Sequence, residues 1–151
     1  MVDVLSPEQR RLNMSRVRGR DTKPEMIIRR GLHARGLRYR LHDKTLPGRP
    51  DLVFSKCRVA VFIHGCFWHA HGCALSKLPA TRQDFWRTKL EANAARDREA
   101  VSALQANGWR VLVIWECALR GPGRADVETV LERAAAFTRA DGPPFLDIAS
   151  K

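Results

Sequence analysis

The sequence predicts an α/β fold: a mixed central sheet flanked by helices. Three observations carry that expectation. Val59–Ile63 and Val111–Ile114 are short, wholly apolar runs; a long segment rich in Ala, Arg and Glu separates them; and Gly- or Pro-bearing turns punctuate the periodic stretches. Runs apolar at every position suit central strands buried on both faces, and a long helix between two such strands is the usual crossover of a parallel pair. At 151 residues the chain is long enough for one core and short for two.

Each element has a local reason. Ser6-Pro7-Glu8 reads as an N-cap with a first-turn proline, predicting a short helix to about Val17 within an N-terminal arm spanning about residues 1–21. Thr22-Lys23-Pro24-Glu25 has capping-box spacing, and Met26, Ile27 and Leu32 are the expected apolar face of the helix that follows, ended by Gly36. Leu37–Leu41 is read as a strand. The turn Leu46-Pro47-Gly48-Arg49-Pro50 then delivers Asp51 to a short strand, Asp51–Phe54, and a tight turn at Ser55 and Lys56 leads to the apolar strand Arg58–His64. Residues Gly65–Pro79 lack either period and carry Cys, His and two aromatics, so a structured loop is expected. A long helix is predicted from about Arg82 to Asn107, closed by Gly108, then a strand Arg110–Trp115 and a last helix from Ala125 to about Thr138. The core is placed at about 22–138, and the polar tail at about 139–151 is expected to be loose.

Charge gives the first functional clue. Lys and Arg total 27 against 16 Asp and Glu, a net charge of +11. Arginine dominates and clusters at Arg16, Arg18, Arg20, Arg29, Arg30, Arg35, Arg38 and Arg40. Guanidinium forks suit phosphate oxygens, and release of condensed counterions favours binding to a polyanion. A merely solvated basic surface is the plainer reading; nucleic acid is preferred because no amphipathic lipid-facing helix or lipid anchor accompanies the charge. No stretch approaches the roughly 18 apolar residues of a membrane span, and the basic start of the chain lacks the apolar region of a secretory signal. A bacterial cytoplasm is the expected location.

Without an export signal, the cysteines Cys57, Cys66, Cys73 and Cys117 read better as metal ligands than as disulfides. Cys66, His71 and Cys73 share one loop, and Cys117 follows the Arg110–Trp115 strand. If that strand lies parallel beside Val59–Ile63, Cys117 reaches the loop and completes a four-coordinate zinc site with no open position, hence a structural one. Free buried thiols or a 66–73 disulfide are the alternatives. Cys57 lies outside the group and reads as a small hydrophobe.

Arg49-Pro50-Asp51 at the head of a strand resembles the Pro-Asp…(Asp/Glu)-x-Lys nucleases, which hold magnesium with carboxylates against a phosphate. The second half of that pattern is absent, since Phe62-Ile63-His64 stands where an acid and a lysine are expected. His64, His69 and His71 crowd the next segment, where one can be a general base; spacing does not rank them. Glu25 has a plainer role as the capping-box partner of Thr22. Phe67, Trp68 and Trp86 could wedge between base steps or form a local cluster over the zinc. Lys89 and Asn93 lie one helical turn apart and could reach base edges or phosphates, whereas Trp109 and Trp115 flank a central strand and read as core.

Three segments, Arg16–Glu25 (RVRGRDTKPE), Leu46–Leu52 (LPGRPDL) and Val61–Cys73 (VFIHGCFWHAHGC), closely resemble the very-short-patch-repair endonucleases, as do Trp86–Asp97 and Ile114–Cys117. The likeness runs in order over about residues 8–135. It implies a restriction-endonuclease-like nuclease core with a structural zinc, nicking one strand of double-stranded DNA beside the thymine of a T·G mismatch left by 5-methylcytosine deamination. A cytosine-5 DNA methyltransferase is then the metabolic companion, mismatch-repair proteins are possible functional partners, and a nucleoid-associated monomer is expected. By position, the resemblance makes Asp51 the magnesium ligand, His69 the general base, Glu25 the acid that completes the water network, and His64 and Asp97 ancillary polar residues. Cys66, His71, Cys73 and Cys117 match the zinc ligands. Phe67, Trp68 and Trp86 become intercalating residues, with Met14 approaching from the other groove and Arg16 and Arg18 on the DNA backbone. Ile63 departs from the threonine frequent there, and is expected to offer magnesium only its backbone carbonyl. The competing readings are a sequence-specific double-strand endonuclease and a non-catalytic zinc-containing DNA-binding module.

Overall fold

The computed structural model of the chain describes residues 22–73 and 75–150. The expected first helix, with Met14, Arg16 and Arg18, lies outside them. In order, the elements are α1 (Lys23–Ala34), β1 (Arg40–Leu41), β2 (Leu52–Phe54), β3 (Val59–His64), α2 (Gln83–Ala106), β4 (Arg110–Trp115), a 3-10 turn (Glu116–Ala118), α3 (Val127–Arg139) and β5 (Phe145–Ile148). The five strands form one sheet in sequential order. The β2 strand runs antiparallel to both β1 and β3, and β3, β4 and β5 run parallel. The sheet is therefore mixed, as expected, with β3 and β4 at its centre.

Strand alternation sorts the core into two layers. Val59, Val61 and Ile63 of β3 join Leu112 and Ile114 of β4 against Ile28 and Leu32 of α1 and Val130, Leu131 and Ala134 of α3. Ala60 and Phe62 join Val111 and Val113 against Ala100 and Leu104 of α2. A period of two along each strand, with apolar residues on both faces, is what makes a helix–sheet–helix sandwich of these runs. His64 continues the α2-facing series of Ala60 and Phe62, so register alone sends its ring toward α2.

On α1 the buried positions are Glu25, Ile28 and Leu32, spaced three and four apart on one stripe. The expected face holds at Leu32 and, half-buried against the core, at Ile27; Met26 is half-buried too, and the innermost residue of the first turn is a carboxylate. Thr22 does cap the helix, its hydroxyl accepting from the Glu25 amide at 3.4 Å.

The expected strand Leu37–Leu41 shortens to Arg40–Leu41, and Asp51 stands just before β2. The largest departure is the tail. Where a loose segment is expected at 139–151, Phe145–Ile148 adds a parallel strand to β4, pairing Val111 with Phe145 and Ile114 with Ile148. The open edge of β4 supplies the ladder, and the wholly buried Ile148 anchors it.

Candidate active site

Two polar clusters and one Cys/His cluster gather around the C-terminal end of β3. The first comprises Glu25, His42 and Asp51. Glu25 reaches it from the inward stripe of α1. Asp51 is delivered by the turn at Gly48, where φ is +75° and an added Cβ would lie 2.6 Å from the Ala100 Cβ on α2, so only glycine fits so close a turn. His42 follows from register: Leu41 pairs with Leu52, which sets His42 opposite Asp51, and its amide donates to the Asp51 carbonyl at 3.1 Å.

The Asp51 carboxylate accepts the Ile63 amide at 2.7 Å. The Glu25 Oε2 atom lies 2.9 Å from His42 Nε2 and 3.2 Å from the Arg29 guanidinium, while His42 Nε2 is 4.0 Å from Asp51 Oδ1. Burial pushes Asp51 up to about 7; the Ile63 hydrogen bond opposes the rise and the nearby Glu25 adds to it. A carboxylate held against its own ionisation beside a second carboxylate gains most from a cation. The oxygen-rich donor set thus fits a divalent ion. The Ile63 side chain belongs to the core. Because a strand residue's N–H and C=O project to the same side, its carbonyl faces the Asp51 edge as well.

The second cluster is His64, His69 and Asp97. Asp97 projects from α2 to within 2.5 Å of His69 Nδ1. The His64 and His69 rings stack, with centroids 3.8 Å apart and planes 7° from parallel. Burial drives His64 down to about 3, helped by His69 and opposed by Asp97, so the inner imidazole is neutral near pH 7. His64 follows Ile63 in the chain, and Ile63 holds Asp51, so the two clusters meet there.

Cys66, His71, Cys73 and Cys117 form the third cluster, with donor atoms within 4.8 Å of one another. All four cysteines of the chain are free thiols, which removes the 66–73 disulfide. Three sulfurs and one imidazole are a donor set that four-coordinate zinc favours, and the 3.5 Å from Cys117 Sγ to His71 Nδ1 matches the edge of about 3.6 Å that tetrahedral bond lengths imply. Backbone amides point at the sulfurs: Cys117 to Cys66 at 3.3 Å, Leu75 to Cys73 at 3.4 Å and Ser150 to Cys117 at 3.2 Å. Burial alone would raise the Cys73 thiol; contacts with Ser76, His71, the Leu75 amide and Cys66 outweigh it and bring the thiol down to about 6.

Some residues act otherwise than their spacing suggests. Trp115 is more than core, since its ring stacks on His71 at 4.1 Å and meets His64 edge-on at 5.1 Å. Asn93 donates to the Trp68 carbonyl at 3.1 Å, tying the loop to α2. Phe67, Trp68 and Trp86 lie 5.1–5.9 Å apart and half-exposed, with Lys89 Nζ 5.8 Å from the Trp68 and Trp86 rings and the more exposed Phe85 beside Trp86. Two residues pass unnoticed in the sequence. Glu116 accepts the Cys66 amide at 3.3 Å, and His42 joins the acidic pair; pairing β1 with β2 in antiparallel register would reveal the latter.

The chain thus sets clustered carboxylates and imidazoles beside an aromatic loop at the edge of a mixed α/β sandwich, with a net charge of +11. The family model described as DNA mismatch endonuclease Vsr matches residues 2–75. Similar proteins extend the match to as much as 94% of the chain. The Type II nicking enzyme V.XorIIP of Xanthomonas oryzae pv. oryzae is 53% identical over 123 residues, covering 82% of this chain and 90% of its own length. The DNA mismatch endonuclease Vsr of Escherichia coli is 45% identical over 142 residues, covering 94% and 91%. The Type II nicking enzyme V.NmeAIP of Neisseria meningitidis is 40% identical over 120 residues, covering 80% and 86%. The chain belongs to the Vsr family of DNA mismatch endonucleases. No helix among the described residues is long and apolar enough to cross a membrane.

Proposed function

We propose that the chain nicks one strand of duplex DNA beside the thymine of a T·G mismatch produced by 5-methylcytosine deamination, so beginning short-patch repair. The observation that carries this reading is the meeting, at the end of β3, of a carboxylate-rich cation site with a histidine–aspartate pair.

Asp97 accepts the Nδ1 proton of His69 and fixes its tautomer, leaving Nε2 with a lone pair to take a proton from an attacking water. Neutral His64, stacked face to face on His69, sets the ring plane without adding a charge that would resist protonation of the base. Asp51, Glu25 and the Ile63 carbonyl face the place where magnesium would sit; such a cation, when bound, supplies Lewis-acid neutralisation of charge on the scissile phosphate. The isoleucine at position 63 costs nothing in this reading, because the backbone and not the side chain faces the site.

The Cys66–His71–Cys73–Cys117 cluster serves as a structural zinc centre. It fastens the loop bearing Phe67 and Trp68 to the β4 end, so that the aromatic cluster with Trp86 can enter the stack as a rigid wedge. Unstacking costs a few kcal/mol and is cheapest at a wobble pair, so a wedge favours the lesion over matched duplex. The basic surface supplies sequence-independent affinity. Acting on chromosomal DNA, the chain would work at the nucleoid as a monomer, in cells with a cytosine-5 methyltransferase.

The test is cleavage of matched and T·G duplexes with magnesium. Wild type should make one nick in the thymine strand, and Asp51→Ala should abolish it while keeping mismatch affinity. Equal double-strand cutting of both duplexes would favour a site-specific endonuclease, and wild type inert with every divalent metal would favour a binding module.

A further inference from the structure

We propose that His42 supplies a nitrogen ligand to the divalent cation held between Glu25 and Asp51, and that this chain consequently binds Mn²⁺ more tightly than Mg²⁺. The inference rests on the reading above that Asp51 holds the cation, and adds to it a donor from the β1–β2 turn.

Donor spacing carries the argument. An ion bound octahedrally at about 2.1 Å separates adjacent ligands by roughly 3.0 Å and opposite ligands by roughly 4.2 Å. His42 Nε2 lies 2.9 Å from Glu25 Oε2 and 4.0 Å from Asp51 Oδ1, values that match one edge and one diagonal of such a figure. The three donors come from three separate elements, the first turn of α1, the turn after β1 and the approach to β2, yet they point at one place. The Glu25 side chain is 2% exposed and that of His42 18%, so the ring has little freedom to turn away. Its backbone holds φ at +47°, a left-handed conformation that histidine, like asparagine, adopts more readily than most residues, and its amide bonds the Asp51 carbonyl. The imidazole is thereby fixed relative to the very residue whose carboxylate it faces.

Ligand chemistry then sets the preference. Magnesium takes oxygen donors and keeps its waters, whereas imidazole favours later divalent ions, and manganese accepts a mixed nitrogen and oxygen set at similar size. The competing job for the same ring is to donate its Nε2 proton to Glu25, which would leave no nitrogen for a metal.

The experiment is pulsed electron paramagnetic resonance on the zinc-loaded protein with one equivalent of Mn²⁺, together with calorimetric titration of Mn²⁺ and Mg²⁺. Asparagine is the substitute for His42 because it accepts the left-handed backbone and is too short to reach the ion. Wild type should show ¹⁴N modulation of the Mn²⁺ signal, and His42→Asn should lose it, with about a tenfold fall in Mn²⁺ affinity and a smaller change for Mg²⁺. Modulation that survives His42→Asn, or its absence in wild type while Asp51→Asn still abolishes binding, overturns the His42 assignment alone. Mn²⁺ binding unchanged in Asp51→Asn overturns the Asp51 site itself.

Discussion

Replacing Asp51 by asparagine should make the magnesium-free protein more stable while destroying its response to divalent ions. The carboxyl is raised from an ordinary value of 3.8 to about 7, first by burial and further by Glu25, against the pull of the Ile63 amide. Since the folded value lies above the unfolded one, this group's contribution is most favourable below about pH 4 and is lost as the pH climbs to about 7. At about 1.4 kcal/mol per pKa unit, the loss is on the order of 4 kcal/mol at pH 8, an upper bound because Glu25 shares in it. Asparagine keeps the Ile63 hydrogen bond through Oδ1 and carries no charge, so the variant should recover on the order of 2–4 kcal/mol at pH 8 and less at pH 5. Urea denaturation at both pH values, in buffer without magnesium and without chelators that would strip the Cys/His centre, measures this directly. With millimolar Mg²⁺ the wild type should gain stability, increasingly so as the pH rises through 7 and the carboxylate ionises, and the variant should gain none. A less stable Asp51→Asn at pH 8, or equal magnesium stabilisation of both proteins, would refute the reasoning.

Other outcomes follow from the same geometry. Asp97→Asn should lower the nicking rate about a hundredfold or more with unchanged mismatch affinity, since the amide no longer fixes the His69 tautomer; an unchanged single-turnover rate would remove Asp97 from the site. Trp68→Ala should weaken T·G binding more than matched-duplex binding, because charge serves both alike; equal losses in a fluorescence titration would count against a wedge. Mass spectrometry should find one zinc ion per wild-type chain and less in Cys117→Ser, whose melting temperature should fall by about 10 °C. The Ser150 amide bonds that sulfur, so hydrogen exchange should quicken in β5 as well as in the loop; full metal content with native exchange would contradict the structural role.

The centre of the fold is legible in the sequence because its signals are local. Val59–Ile63 and Val111–Ile114 are apolar at every position, and Gly108 stops α2, with φ at +85°. The fifth strand is illegible for the opposite reason. It follows Gly142-Pro143-Pro144, and of its four residues only Ile148 is buried, so the ladder of β4 creates it and not its own pattern. The site divides along the same line. Cys66, His71 and Cys73 stand within one loop and announce themselves, and Asp51 follows a proline turn. His42 is nine positions from Asp51 in the chain and becomes its neighbour only through antiparallel register. His64 and His69 differ because strand alternation buries the first ring toward α2 at the end of β3, while His69 stands in the loop beyond and reaches Asp97 from there. Asn93, one turn from Lys89, reads as a surface contact until the Trp68 carbonyl turns up as its partner.

Strand-resolved mapping of cleavage on a duplex containing a single T·G pair, run with magnesium for wild type and Asp51→Asn side by side, bears most directly on the chemistry at the end of β3. One break in the thymine strand by the wild type, with none by the variant despite equal binding, is the expected result. Cleavage by Asp51→Asn at the wild-type rate, or breaks distributed over both strands of a fully paired control, would contradict it.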